Sequence, residues 1–177
     1  MEQSPEFKKI KAFAFDVDGV MTTGGITCVP GGDLFRTYDS KDTFAIRMAV
    51  MNNYPVTVIT GACSTTILDR FRTLCVPDED IFLNSRNKAA DLERFCSRHG
   101  FRMDEILYIG DDLPDIPVIK ACGLGVCPSD AVEEVKAAAD IVSEFPGGKR
   151  CVRDALESVM KSQGRWIFDV NEYERRF

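Results

Sequence analysis

The sequence predicts an α/β fold built on a doubly wound parallel sheet. Two observations carry that prediction: short apolar, β-rich runs recur along the chain, and a helical pattern separates each run from the next. A third observation adds a β-hairpin after the first strand, because glycines and β-formers fill residues 19–40, where a first crossover helix would otherwise begin.

The first run, KAFAFDV at 11–17, is apolar without alternation, as a strand buried on both faces requires. The hairpin segment GVMTTGGITCVPGGDLFRTYDS follows, then a helix over about 41–52. PVTVITG at 55–61 reads as the next strand, and a helix over 64–75 starts at Ser64, a residue type suited to capping. DIFLN at 80–84 is a strand, followed by a helix over 87–99 opened by Asn87. EILYIGDD at 105–112, GLGVC at 123–127 and ADIVS at 139–143 complete the strands. Helices over 112–121, 131–138 and 149–162 complete the alternation, which is Rossmann-like. The tail at 164–177, GRWIFDVNEYERRF, holds the only tryptophan and several aromatics, and suits docking on another subunit.

At 177 residues the chain fits one domain spanning 1–177. With 45% hydrophobic and 28% charged residues it is expected to be globular, and no apolar run approaches the roughly 20 residues of a membrane span. The N-terminus does not resemble a secretion signal, so a cytoplasmic location is expected. A net charge of −6 opposes nucleic-acid binding. The seven cysteines are scattered, never spaced as CxxC, and read as reduced, mostly buried thiols. The single histidine, His99, lies in a polar helix end and is expected to be solvated and without chemistry.

Chemistry is concentrated at strand ends. Asp16 and Asp18 follow KAFAF, at the edge where parallel sheets bind ligands, and Gly19 permits the turn between strand and hairpin. Asp111, Asp112 and Asp115 follow a second apolar strand, and carboxylates bunched there would repel one another without a cation. Oxygen-only ligands suit Mg²⁺, which keeps waters and binds through one or two carboxylates plus a substrate phosphate. Thr60 and the amide of Gly61 end a third strand just before a helix, a geometry suited to an anion. Lys88 sits near a helix start, where a cation opposes the helix dipole and so favours an anionic partner.

In the order DVDGV, ITG, NK and GDDLPD, these segments resemble the haloacid dehalogenase superfamily of phosphatases. The resemblance implies that Asp16 is the nucleophile and forms an aspartyl-phosphate, while Asp18 is the acid/base. It also implies Mg²⁺ held by the side chains of Asp16 and Asp111 and the backbone carbonyl of Asp18. Thr60 and Lys88 would hold the phosphoryl group, and Asp112 and Asp115 would support the metal and Lys88. Residues 19–40 allow only a hairpin, and the stretch between Lys88 and Asp111 is filled by one helix and one strand, so no cap domain is expected.

DVDGVMT, SKDTFAIR, GDDLPD and PGGKRCVRDALE further resemble the small uncapped sugar-acid phosphatases of that superfamily. That implies hydrolysis of 3-deoxy-D-manno-octulosonate 8-phosphate in lipopolysaccharide precursor synthesis, by a homotetramer whose hairpins and C-terminal segments close each other's sites. The substrate-contact stretch implied is Asp39, Ser40, Lys41, Asp42 and Thr43, with Arg47 and Arg70, beside Gly61, Asp18 and Lys88. Lys149 or Arg150 could offer a cation to the substrate carboxylate. Ala62, Thr43 and the LNS run at 83–85 depart from the pattern, which leaves the nine-carbon 2-keto-3-deoxy-nonulosonate 9-phosphate as an alternative substrate and a non-catalytic relative as an alternative class.

Overall fold

The computed structural model describes residues 4–29 and 34–177. Strand β1 (Ala12–Phe15) is followed by a short antiparallel pair, β2 (Thr27–Cys28) and β3 (Leu34–Phe35), and by helix α1 (Ser40–Met51). Strand and helix then alternate through β4 (Val56–Ile59), α2 (Thr65–Arg72), β5 (Ile81–Phe82), α3 (Lys88–His99), β6 (Ile106–Ile109) and α4 (Ile116–Ala121). They continue through β7 (Leu124–Cys127), α5 (Glu133–Ala138), β8 (Ile141–Val142) and α6 (Cys151–Ser162), after which comes α7 (Val170–Arg176). All six expected strands lie in one parallel sheet of order β5-β4-β1-β6-β7-β8.

The sequence of β1 explains its central place. Phe13 and Phe15 point into a core shared with Ile46 of α1, Phe71 of α2 and Leu156 of α6. Ala12 and Ala14 face the other layer, against Leu92 and Phe95 of α3, Val118 of α4 and Val135 of α5. Burying each large side chain is worth about 1.5–3 kcal/mol relative to exposure, so both helical layers are held by the same strand. The strand order reverses at β1, and the crevice of such a sheet lies beyond the carboxyl ends at that reversal. Register delivers the chemistry there: Phe15 pairs with both Val58 and Ile109, so the residues after β1, β4 and β6 emerge side by side.

The hairpin is shorter than residues 19–40. The carbonyl of Val17 accepts the amides of Val20, Met21 and Thr22, which winds the chain into a tight turn before β2 can form. Residues 30–33, between β2 and β3 in the chain, lie outside the described residues. The tail folds back on its own chain, where Phe168 and Tyr173 pack on Phe44 of α1, each with centroids 6.0 Å away, while Asp169 caps α7; Ile167, Phe168 and Val170 stay exposed. His99 is not simply solvated; its Nε2 lies 2.8 Å from the buried carboxylate of Asp80 and its ring packs against Phe95 and Phe101. The cysteines are all free, yet only Cys96, Cys127 and Cys151 are buried, while Cys28, Cys63 and Cys75 are exposed. Among the described residues, no helix is long and apolar enough to cross a membrane.

Candidate active site

Four strand ends converge on one pocket of about 370 Å³ lined by Asp16, Asp18, Thr60, Gly61, Ala62, Ser85, Arg86, Lys88, Asp111, Asp112, Pro114 and Asp115. Asp16 leaves β1 with its backbone amide bonded to Ile109, which fixes it beside the end of β6. One carboxylate oxygen accepts the amide of Val17 at 2.7 Å and the other lies 2.7 Å from Lys88 Nζ. Lys88, the first residue of α3, reaches back into the pocket because its ammonium is held between Asp16 and Asp115, the latter at 2.6 Å. Burial alone would depress Lys88, but the two carboxylates hold its pKa above the ordinary lysine value, so it stays charged.

Asp115 is a scaffold rather than a cation ligand. Its Oδ1 accepts Lys88 Nζ and the Tyr108 hydroxyl, both at 2.6 Å, and its Oδ2 accepts the amides of Asp111 and Asp112 at 3.1 and 3.2 Å. A carboxylate oxygen with two donors has little left for a metal. Asp111 is the opposite case. Its Oδ1 is buried and has no hydrogen-bond partner among the described residues, and one of its carboxylate oxygens lies within 4.8 Å of oxygens of Asp16 and Asp115. An orphaned acceptor among carboxylates costs free energy unless a cation completes it. Burial, with repulsion from Asp16 and Asp115, pushes Asp111 up to about 7; burial, offset by Lys88, pushes Asp16 up to about 6. The donor set fits a hard divalent cation carried by Asp16 and Asp111. Gly19 is needed for this geometry: its φ is +86°, and a Cβ there would lie 2.0 Å from Asp111 Oδ2.

Thr60 is buried at the end of β4, its hydroxyl accepting the amide of Ala62 at 3.1 Å, with Gly61 beside it in the pocket wall. Asp112 is exposed and accepts the amide of Leu113. None of the α1 residues of the expected substrate-contact stretch lines this pocket, and most are engaged by the fold. Asp39 caps α1 through the amides of Lys41 and Asp42. Asp42 is fully buried and accepts the amides of Arg150 and Arg153 at 3.0 and 2.7 Å, so it caps α6 from across the core. Thr43 bonds back to the carbonyls of Asp39 and Ser40, while Ser40 and Lys41 face solvent. Arg47 donates to the Tyr173 hydroxyl and lies over Phe177, and Arg70 lies over Tyr38. Lys149 is exposed and Arg150 lies over Phe145.

Other residues escaped the sequence reading. Arg36, at the end of β3, grips Asp18 with Nε–Oδ1 at 2.7 Å and Nη2–Oδ2 at 2.9 Å. Tyr108, Ser85 and Arg86 also belong to the site or its wall. Tyr108 could have been suspected from a polar tip inside an otherwise apolar strand, but nothing in the local pattern pairs position 36 with position 18.

Comparison with known proteins follows the same lines. Residues 79–146 match the family of haloacid dehalogenase-like hydrolases. The 3-deoxy-D-manno-octulosonate 8-phosphate phosphatase of Salmonella typhi is 29% identical over 158 residues, covering 89% of this chain and 83% of its own. The chain is similar to haloacid dehalogenase-like hydrolases. The structure of a subfamily III A hydrolase of this superfamily from Legionella pneumophila superposes on it with a TM-score of 0.90 at 29% identity, covering 96% of this chain and 92% of that one. A second structure, the 3-deoxy-D-manno-octulosonate 8-phosphate phosphatase of Moraxella catarrhalis in complex with magnesium, phosphate and KDO, gives a TM-score of 0.86 at 27% identity and covers 91% of each chain. The fold is therefore the uncapped α/β form, with a short hairpin after the first strand.

Proposed function

We propose that this hydrolase removes the phosphate from 3-deoxy-D-manno-octulosonate 8-phosphate, supplying a precursor of lipopolysaccharide. The chain is a phosphoric monoester hydrolase, and the observation that carries the reading is the buried Asp16–Lys88–Asp115 array beside the orphaned oxygen of Asp111, in a chain similar throughout to phosphatases of that substrate. A single cytoplasmic domain, assembled as a homotetramer, performs the work.

Its cofactor is Mg²⁺, which the side chains of Asp16 and Asp111 and the backbone carbonyl of Asp18 would hold, and which supplies positive charge against the phosphoryl oxygens. The chain's own residues do the rest. A carboxylate oxygen of Asp16 attacks phosphorus, the bond to the sugar oxygen breaks, and that oxygen takes its electron pair and a proton from Asp18. Asp18 then takes a proton from water as the water oxygen attacks phosphorus, and the phosphorus–Asp16 bond breaks to free inorganic phosphate. Thr60, Gly61 and Lys88 hold the transferring group in line, Lys88 staying fixed by Asp115 as charge moves.

The test is phosphate release from a panel of sugar-acid phosphates with Mg²⁺, run beside Asp16→Asn. The eight-carbon substrate is expected to be cleaved fastest and the variant to lose activity by at least about 10³-fold. Wild-type rates in the variant would sink the nucleophile. Faster cleavage of the nine-carbon acid would reassign the substrate, and no turnover of any phosphomonoester would leave a non-catalytic relative.

A further inference from the structure

Among the described residues, the hairpin contributes one charged side chain to the site, and its environment is unusual. Arg36 holds Asp18 with two parallel N–H···O bonds of 2.7 and 2.9 Å, and only 1% of its side chain is exposed while Asp18 keeps 24%. Its third nitrogen faces the carbonyl of Leu34 at 3.5 Å, so the guanidinium plane is fixed from both sides. A buried fork of this kind is geometrically demanding: it occupies one lone pair on each carboxylate oxygen, sets the plane of the group, and leaves the other lone pairs for the open side. Removing one partner of such a pair costs far more than loosening a surface ion pair. Arg36 does not line the pocket and reaches the reacting atoms only through Asp18.

We propose that Arg36 is a positioning residue that orients Asp18 toward the leaving-group oxygen, and that the hairpin is retained as its carrier. The inference rests on the acid/base role assigned to Asp18 above. It makes a prediction that a purely structural arginine would not share. An alkyl phosphate has a leaving oxygen that needs a proton as the bond breaks, whereas 4-nitrophenyl phosphate leaves as a stable phenolate and needs little help. Misorienting Asp18 must therefore slow the first kind of substrate selectively.

The experiment compares wild type, Arg36→Gln and Arg36→Lys on 3-deoxy-D-manno-octulosonate 8-phosphate and on 4-nitrophenyl phosphate. The same enzyme preparations serve for both substrates, with Mg²⁺ present, and the nitrophenolate burst reads the phosphorylation step. The burst amplitude counts the active sites in each preparation, and kcat is expressed per active site, so an unfolded fraction of a variant does not enter the comparison. In Arg36→Gln, kcat on the sugar-acid phosphate is expected to fall about 10²-fold, with the nitrophenolate burst rate changing less than about 5-fold. KM for the sugar acid should stay within about 2-fold, and Arg36→Lys should recover part of kcat. Equal losses on both substrates would make Arg36 structural; a raised KM with kcat intact would make it a substrate contact; unchanged kinetics would remove it from the reaction. Asp18→Asn separates this inference from the reading beneath it. If that variant shows the selective loss and Arg36→Gln does not, only the role of Arg36 falls, whereas an Asp18→Asn enzyme with wild-type rates on both substrates removes the acid/base assignment itself.

Discussion

Asp111 is where structure and function pull hardest against each other. Its carboxylate is half-buried beside Asp16 and Asp115, with one oxygen unpaired, and burial lifts it to about 7 and Asp16 to about 6. Both folded-state values lie above the ordinary 3.8, so the folded, metal-free chain binds these protons more tightly than the unfolded chain does. The stability they contribute is fully present below about pH 4 and is lost as pH rises through 6 and 7. A divalent cation reverses the balance by requiring both groups ionised. Mg²⁺ is therefore expected to raise the thermal midpoint more at pH 7.5 than at pH 5.5. Asp111→Asn should raise the metal-free midpoint at pH 7.5 by about 2–6 °C while abolishing both the Mg²⁺ shift and activity. Thermal unfolding of the two proteins, with and without Mg²⁺ at both pH values, decides it. A Mg²⁺ shift that is larger at pH 5.5, or that survives in Asp111→Asn, would contradict the assignment.

At the level of elements, the most instructive case is the start of α1. Asp42 spends its charge on the first turn of α6, accepting the amides of Arg150 and Arg153, a position the helix dipole favours. Asp42→Ala leaves two part-buried amides without their carboxylate partner and is expected to cost about 1–3 kcal/mol, lowering the thermal midpoint by about 3–10 °C. Below that midpoint kcat and KM should stay near wild type; a KM raised tenfold with an unchanged midpoint would restore Asp42 as a substrate contact. This case also marks what could be read from sequence. The six strands and their order of chemistry were legible because buried parallel strands are written as continuous apolar runs, and because Asp16, Thr60 and Asp111 follow such runs within two residues while Lys88 opens the helix after another. Contacts between distant elements were not. Nothing near position 42 announces that α6 needs a cap, nothing near position 36 announces Asp18, and the tail's aromatics could equally have met another subunit as Phe44. Local pattern specifies periodicity and strand ends, while partner choice across the core is settled by packing.

Taken as a whole, the molecule leaves a conspicuous amount of apolar surface around a weak element. Strands β2 and β3 are two residues each, and a hairpin of that size is marginal by itself in water. Its Ile26 and Phe35 are 43% and 57% exposed, and on the tail Ile167, Phe168 and Val170 are all more than half exposed. Yet Arg36, adjacent to Phe35, must hold Asp18 with an error well under an ångström if it is to orient a proton transfer. A second copy covering the hairpin would supply the missing rigidity, which is the physical case for the homotetramer proposed above. Light scattering is expected to give a particle of four 19.8 kDa chains. Phe35→Glu, which places a charge where apolar cover is needed, should shift that particle toward smaller species and slow the sugar-acid phosphate more than 4-nitrophenyl phosphate, as Arg36→Gln does. A wild-type monomer with full activity would show that the hairpin is rigid without a partner, and Phe35 would then be an ordinary exposed phenylalanine.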